Sequence, residues 1–389
     1  MTTLSGLDRL AGLGDDASNL VRGRKVALLA HAASIDSSLR HARQVLETAG
    51  ADIRVLFGPE HGFAGAAQDM IGVSHAAQAA GPKVHSLYGA TFEDLTPPQS
   101  AFDGVDLLVI DLQDVGSRYY TYIWTAALCM RAASEAGVET LALDRPNPLG
   151  GAVVEGAPQS PGYRSFVGLY DVAVRHGMTM CEILTMVAEL EGLDAAGHQM
   201  LTMQGWERDM FFDQTGLPWV QPSPNMPTLS TATVYPGGCL LEGTLLSEGR
   251  GLTRPFEIFG APWVDAPALA RSIHIAGATL RPLSFEPTFH KFAGELCHGV
   301  QVHVSDRDQL RSYAGYQRIL GALYAQGKGE FAWRTEEYEY VVDRPAIDLL
   351  TGGTQFRAAA EEGELEAYLA DDAQSAAGFE QRRKPWLLY

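Results

Sequence analysis

Between Lys25 and Leu143 short apolar runs alternate with longer helical segments closed by glycine, and that alternation restricts the chain to few architectures. Residues 25–30, 53–57, 107–111 and 140–143 read as buried strands, with 84–87 a further one. Residues 38–49, ended by Gly50, and 120–136, ended by Gly137, read as helices. Strand following helix in this order implies a parallel α/β sheet with helices on both faces. A helix over 179–191 follows, with Thr179 and Glu182 spaced as a capping box, and then a strand near 200–203. The Pro-rich stretch Trp219-Val-Gln-Pro-Ser-Pro-Asn-Met-Pro227 suits neither helix nor central strand. It reads as a rigid connection between two domains, one that could also line a cleft. Beyond it, 280–292 and 300–305 read as strands, and 308–326 and 361–370 as helices. They form a second, smaller α/β or α+β domain.

A chain of 389 residues with 46% apolar content can bury a core large enough for two domains. Its formal net charge of −18 argues against nucleic acid or an anionic membrane as main partner, since an acidic surface gains nothing from counterion release. Cys129, Cys181, Cys239 and Cys297 lack metal-ligand spacing and read as buried free thiols, which suits a reducing compartment. No basic segment followed by an apolar one opens the sequence, and the expected location is the cytoplasm.

Ligands of open parallel sheets bind beyond the carboxyl ends of the strands, and polar residues collect there. The run 53–57 opens into Gly58-Pro-Glu-His-Gly-Phe63. After 107–110 come Asp111-Leu-Gln113-Asp114-Val-Gly-Ser-Arg118-Tyr-Tyr120, and after 141–143 come Asp144-Arg145-Pro-Asn147-Pro148. Turning alone would use Gly, Pro, Asn and Ser, whereas Glu, His, Asp, Gln and Arg destabilise a fold when desolvated without a task. Asp111 and Asp144 could instead pair with nearby arginines. Two further clusters, Val174-Arg175-His176-Gly-Met-Thr179 and Leu241-Glu-Gly-Thr-Leu-Leu-Ser-Glu248-Gly-Arg250-Gly251, bring more polar groups, the latter with glycines that allow close backbone approach. Nucleotide fingerprints, a GxSxG elbow and HExxH are all missing.

Taken together, Phe57-Gly-Pro-Glu-His-Gly-Phe63, Asp111-Leu-Gln-Asp-Val-Gly-Ser-Arg118, Tyr120-Thr-Tyr122, Leu143-Asp-Arg-Pro-Asn-Pro148, Arg175-His-Gly-Met-Thr179, Pro222-Ser-Pro-Asn225, Ser247-Glu-Gly-Arg-Gly251 and Phe259-Gly-Ala-Pro-Trp263 closely resemble the exo-β-N-acetylmuramidase family, long catalogued as a domain of unknown function. The resemblance runs from about Gly6 to the C-terminus. It implies a Rossmann-like catalytic domain over 1–228 and a smaller domain over 229–389 that completes the cleft. The implied activity is release of N-acetylmuramic acid from the non-reducing end of peptidoglycan fragments, without an organic cofactor; no ligand spacing among the histidines prompts a metal. The partner would be a sugar or muropeptide substrate. This chain departs from the family pattern at Ala30-His31-Ala32-Ala33 and at Ala64, where an Asn-containing turn and an Arg are common. Leu245 and Leu252 stand where small polar residues are frequent.

Cutting a glycosidic bond needs a proton donor on the leaving oxygen and a second group opposite. Glu60 is the expected general acid, its pKa raised by partial burial. Glu248 is the first expected partner, with Glu155 and Asp111 behind it. Inversion, retention and assistance by the substrate's own 2-acetamido group all stay open. The expected substrate contacts are His61, Asp111, Gln113, Asp114, Arg118, Tyr120, Arg145, Asn147, Arg175, His176, Asn225 and Arg250. Among them Arg118, Arg145, Arg175 or Arg250 would hold the lactyl carboxylate of muramic acid, because a planar guanidinium matches a carboxylate bidentately. A muropeptide-binding protein without activity, and a hydrolase of another amino-sugar glycoside, remain alternative readings of the same residues.

Overall fold

The computed structural model describes residues 2–13, 17–63 and 81–389, so the departure at Ala64 lies outside the described residues. Six strands, β1 (Lys25–Ala30), β2 (Asp52–Gly58), β3 (Lys83–Ser86), β4 (Leu107–Asp111), β5 (Glu139–Leu143) and β6 (His198–Leu201), form one parallel sheet in the order β3-β2-β1-β4-β5-β6. Alternate side chains point to opposite faces, as the strand repeat requires. Leu28, Val109 and Leu141 pack with Leu7 of α1 (Gly6–Leu10) and with Val45 and Leu46 of α2 (Ala42–Thr48). Leu29, Leu108 and Ile110 pack with Trp124 of α3 (Tyr122–Glu135) and Ile183 of α4 (Met180–Glu191). With both faces covered, the strands are the near-continuous apolar runs seen in the sequence.

The strand order reverses between β1 and β4, where the crevice of a doubly wound sheet opens. His31 follows β1 there. Its Nε2 accepts from the backbone N–H of Gln113, just past β4, at 3.0 Å, and its Nδ1 lies 3.3 Å from the Pro222 carbonyl. With Nε2 accepting, the proton sits on Nδ1 and is donated to Pro222. Complete burial and the nearby Arg145 push the His31 pKa down to about 3, so the ring is neutral. The Pro222 carbonyl also accepts from the Tyr122 hydroxyl at 2.8 Å. The Pro-rich segment is thereby pinned above the sheet's switch point.

The remaining chain is α+β. Helix α5 (Leu229–Gly238) leads to β7 (Ile258–Ala261), α6 (Ala266–Ser272), β8 (Ala278–Phe285), β9 (Cys297–Val304), α7 (Ser312–Gln326), α8 (Ala346–Thr351), α9 (Gln355–Glu362) and α10 (Leu365–Arg382). The three strands pair antiparallel in the order β7-β9-β8. The strand expected over 280–292 stops at Phe285, and the chain turns back so that Thr288 donates to the Gly251 carbonyl at 2.9 Å. Where the sequence suggested one late helix over 361–370 there are two, separated at Gly363 with φ of 80°. The larger apolar cluster is continuous through both parts, taking in Phe57 and Trp124 on one side and Phe259, Leu320 and Phe379 on the other.

The expected cap of α4 is present, with the Glu182 N–H donating to Thr179 Oγ1 and the Thr179 N–H to Glu182 Oε2. The four cysteines are free and buried. Among the described residues, no helix is long and apolar enough to cross a membrane.

Candidate active site

A cavity opens above the carboxyl ends of β2 and β4. Its walls are Glu60, His61, Tyr119, Tyr120, Thr121 and Val167 from the first part, Ser223, Asn225 and Met226 from the Pro-rich connection, and Tyr235, Glu242, Arg250, Phe256, Tyr338 and Glu339 from the second part. Its tightly enclosed room is about 30 Å³, but about 440 Å³ lies between its walls when the solvent-open mouth is counted.

Glu60 stands two residues past β2 in a turn closed by the Gly62 N–H donating to the Pro59 carbonyl at 2.9 Å. His61 next to it has φ of 69°, the left-handed region that a side chain ordinarily avoids. The turn is narrow, because a Cβ on Gly58 would meet the Phe63 backbone nitrogen at 2.4 Å. Glu60 is 6% exposed. Its Oε2 accepts from the Thr121 hydroxyl at 2.7 Å, while Oε1 is buried without a hydrogen-bond partner among the described residues. One oxygen is therefore fixed and the other is left for a ligand. Burial raises the pKa of the Tyr120 phenol, which stays neutral and packs edge-on against Tyr122 and Tyr235 at 4.7 and 5.9 Å.

Across the cavity Glu242 accepts from Arg250 Nη2 at 2.5 Å and from the Tyr338 hydroxyl at 2.7 Å. Glu339 accepts from the Tyr88 hydroxyl at 3.1 and 3.2 Å. Arg250 also lies over the Phe256 ring, 5.4 Å from its centroid. Of the seven non-glycine residues with left-handed backbone among those described, His61, Phe256 and Glu339 line this one cavity. Such strain concentrates where function over-determines the backbone.

The expected residues divide sharply. Glu60, His61, Tyr120, Asn225 and Arg250 meet in the cavity. Glu248 does not line it: its carboxylate lies fully buried behind Arg250, 3.1 Å from Arg250 Nε, 3.0 Å from His290 Nδ1 and 2.9 Å from Lys291 Nζ. Burial alone would raise its pKa, but Lys291, His290 and Arg250 outweigh that and hold it well below the ordinary carboxylate range. A carboxylate so placed orients Arg250 from behind the cavity wall. Glu155 is likewise drawn away, into an ion pair with Arg175 at 3.2 Å and a hydrogen bond from the Tyr313 N–H at 3.1 Å.

The other strand-end residues brace the loops. Arg145 grips Asp111 through two bonds of 2.6 and 2.8 Å. Arg118, without exposed surface, donates to the carbonyls of Ala157, Val172 and Leu350. Arg175 donates to the Leu149 carbonyl as well as to Glu155. Gln113 donates to the carbonyls of Asp114 and Pro146, Asn147 donates to that of Met178, and Asp114 accepts from the Gly116 N–H. His176 Nδ1 accepts from the Met178 N–H, leaving Nε2 3.4 Å from Asp114. These eight, expected as substrate contacts, thus each meet protein groups and stand outside the lining of this cavity. Sequence reasoning gave no role to Glu242, Glu339, Thr121, Ser223 or Tyr338. Glu242 shares the Gly-rich run of Arg250, whereas Glu339 sits in a segment without glycine to mark its turn.

Comparisons with known proteins agree with this architecture. The family model described as exo-beta-N-acetylmuramidase NamZ, N-terminal, matches residues 26–230, and its C-terminal counterpart matches 233–389. The peptidoglycan beta-N-acetylmuramidase NamZ of Bacillus subtilis (strain 168) is 38% identical over 392 residues, covering 99% of this chain and 91% of that protein. Crystal structures of two DUF1343 family proteins of Bacteroides fragilis NCTC 9343 superpose with TM-scores of 0.87 and 0.76, at 28% and 25% identity. Each comparison covers 100% of this chain and 99% of the other. Matched along both of its parts and at 38% identity to a relative across 99% of its length, the chain belongs to the NamZ exo-beta-N-acetylmuramidase family.

Proposed function

We propose that this protein is a peptidoglycan glycoside hydrolase that releases N-acetylmuramic acid from the non-reducing end of glycan or muropeptide fragments, with Glu60 as proton donor to the leaving oxygen. The observation that carries the reading is the asymmetry of the Glu60 carboxyl, one oxygen held by Thr121 and the other buried at the cavity without a partner among the described residues. A general acid needs such a fixed direction, since proton transfer demands hydrogen-bond distance to one particular atom. Family membership and the activity named for the Bacillus subtilis relative support the same substrate class.

The oxocarbenium-like transition state also needs negative charge near the sugar ring. Glu242, held between Arg250 and Tyr338, takes the part that the sequence suggested for Glu248. Tyr120, Tyr235 and Phe256 offer apolar faces to the pyranose. Arg250 is the one of the four expected arginines that lines the cavity, and it is our candidate for the lactyl carboxylate.

A panel of chromogenic β-glycosides tests the function. Release from the N-acetylmuramic acid glycoside, with little from the N-acetylglucosamine analogue, is the expected result. Tight binding of the intact muramic glycoside without product would make the protein a binder, and preference for the glucosamine analogue would make it a different hydrolase.

A further inference from the structure

Beside the cavity lies a second concavity, a groove with about 1260 Å³ of room. The two are separated by a single turn. Tyr338 and Val341 exchange backbone hydrogen bonds of 3.0 Å in both directions, which makes Glu339 and Tyr340 the central residues of a two-residue hairpin loop. Both are left-handed, at φ of 46° and 66°. Loops of this class ordinarily carry Asn-Gly, because most side chains meet steric resistance there. A Glu and a Tyr persist only where surrounding contacts hold them.

Those contacts are present on both sides. Glu339 reaches the cavity and is held by the Tyr88 hydroxyl. Tyr340 faces the groove, with its hydroxyl donating to the Gly89 carbonyl at 3.2 Å. Its half-buried ring meets the rings of Tyr88, Phe92 and Phe166 with centroids at 5.7, 6.2 and 6.3 Å. The strained turn thus fixes an aromatic ring at a groove wall, directly beside a residue of the catalytic cavity.

We propose that this groove is the leaving-group subsite, in which the Tyr340 ring stacks on the neutral 2-acetamido sugar from which the terminal residue is cut. The inference rests on the hydrolase reading of the adjoining cavity. A pyranose presents axial C–H groups on its faces, and an immobilised ring matches them at little entropic cost. The charge of the groove narrows the choice of sugar. Glu93, Asp94, Glu135, Glu337 and Glu339 line it against Lys83, so an anionic sugar is repelled there while hydroxyls and an acetamido group find acceptors. Carboxylates line the cavity as well, but only the cavity offers an arginine, so the anionic terminal residue is assigned to it and the neutral one beyond the turn.

The test compares two substrates, N-acetylmuramyl-β-1,4-N-acetylglucosamine and N-acetylmuramyl β-fluoride, whose leaving group is too small to reach the groove. For Tyr340→Ala, kcat/KM on the disaccharide should fall at least tenfold more than on the fluoride, mainly through KM. Tyr340→Phe, which keeps the ring, should restore the ratio. Equal losses on both substrates would show that Tyr340 merely supports the cavity, and wild-type kcat/KM on both would remove it from recognition; either result overturns the inference alone. A wild-type protein that cleaves neither substrate overturns the hydrolase reading, and this inference with it.

Discussion

At Glu60 the hydroxyl of Thr121 fixes one carboxyl oxygen and leaves the other at the cavity. A Glu60→Gln variant keeps an oxygen able to accept from Thr121 but has no acidic proton to deliver. Turnover should fall about a hundredfold or more, the range for loss of a general acid or base, with the melting temperature unchanged. Near-normal activity at unchanged melting temperature would remove Glu60 from the mechanism. Arg250 calls for a selective loss instead. Arg250→Lys keeps the charge but gives up the planar fork, so binding of a muramic acid glycoside should weaken by about 1.5–3 kcal/mol while the matched glucosamine glycoside changes little. Equal effects on both would place the lactyl pocket elsewhere. That Glu60, His61 and Arg250 line the cavity was legible because glycine and proline mark the turns that present them. The eight bracing residues look the same in sequence, since a polar group at a strand end serves chemistry or loop bracing equally well. What decides between them is the partner, and for Arg118 one partner is the carbonyl of Leu350, 232 residues away. Glu339 was illegible for the opposite reason, because its left-handed turn uses neither glycine nor asparagine.

Strands and helices of the parallel sheet were readable because burial on both faces imposes unbroken apolar runs. The second part was read less well. Its strand β8 is largely exposed along one edge, and the chain leaves it through Pro287, so the apolar pattern runs on beyond the hydrogen-bonded ladder. The run from Glu248 to Gly251 was seen as glycine-rich, but its packing was not. Gly249 and Gly363 share a left-handed backbone at φ of 82° and 80°, yet a Cβ on Gly249 would meet the Ile258 carbonyl oxygen at 2.2 Å, whereas one on Gly363 would meet nothing within 4 Å. Gly363→Ala should therefore destabilise by about 1–2 kcal/mol, the conformational penalty alone. Gly249→Ala adds a backbone collision next to Arg250, and should cost at least about 1 kcal/mol more as well as lowering turnover. Urea unfolding of the two variants separates strain from packing. Equal losses, with activity intact in both, would mean that the 248–251 run yields without moving Arg250.

Over the whole molecule, the last residues of the chain return to the first sheet. The Tyr389 hydroxyl donates to Asp144 Oδ2 at 2.7 Å, across 245 residues of sequence, and accepts from the Met203 N–H at 2.6 Å. Asp144 also accepts from the Thr179 hydroxyl and the Cys181 N–H, at 2.8 and 3.0 Å. Its carboxyl lies at the end of β5 without exposed surface, and burial pushes its pKa up from 3.8 to about 6, against the three hydrogen bonds that favour the charged form. Between those two values the folded state holds a proton that the unfolded chain has already released. Stability therefore falls as pH rises from about 4 to 6, and stays at the lower level above that window. Asp372, also raised to about 6, adds to the same trend, while Glu248, held low, gives stability that is lost as the medium becomes acid. Asp144→Asn isolates one contribution. Its amide oxygen can accept from Cys181, and its amide nitrogen can donate to Thr179 or Tyr389, whose hydroxyls rotate to suit. Relative to wild type, the variant should gain up to about 3 kcal/mol between pH 4 and pH 7, two pKa units of released penalty. Urea unfolding at the two pH values measures that gain directly; if the stability difference between variant and wild type is the same at both, no proton is held at Asp144 and the C-terminal clamp closes on an ordinary carboxylate.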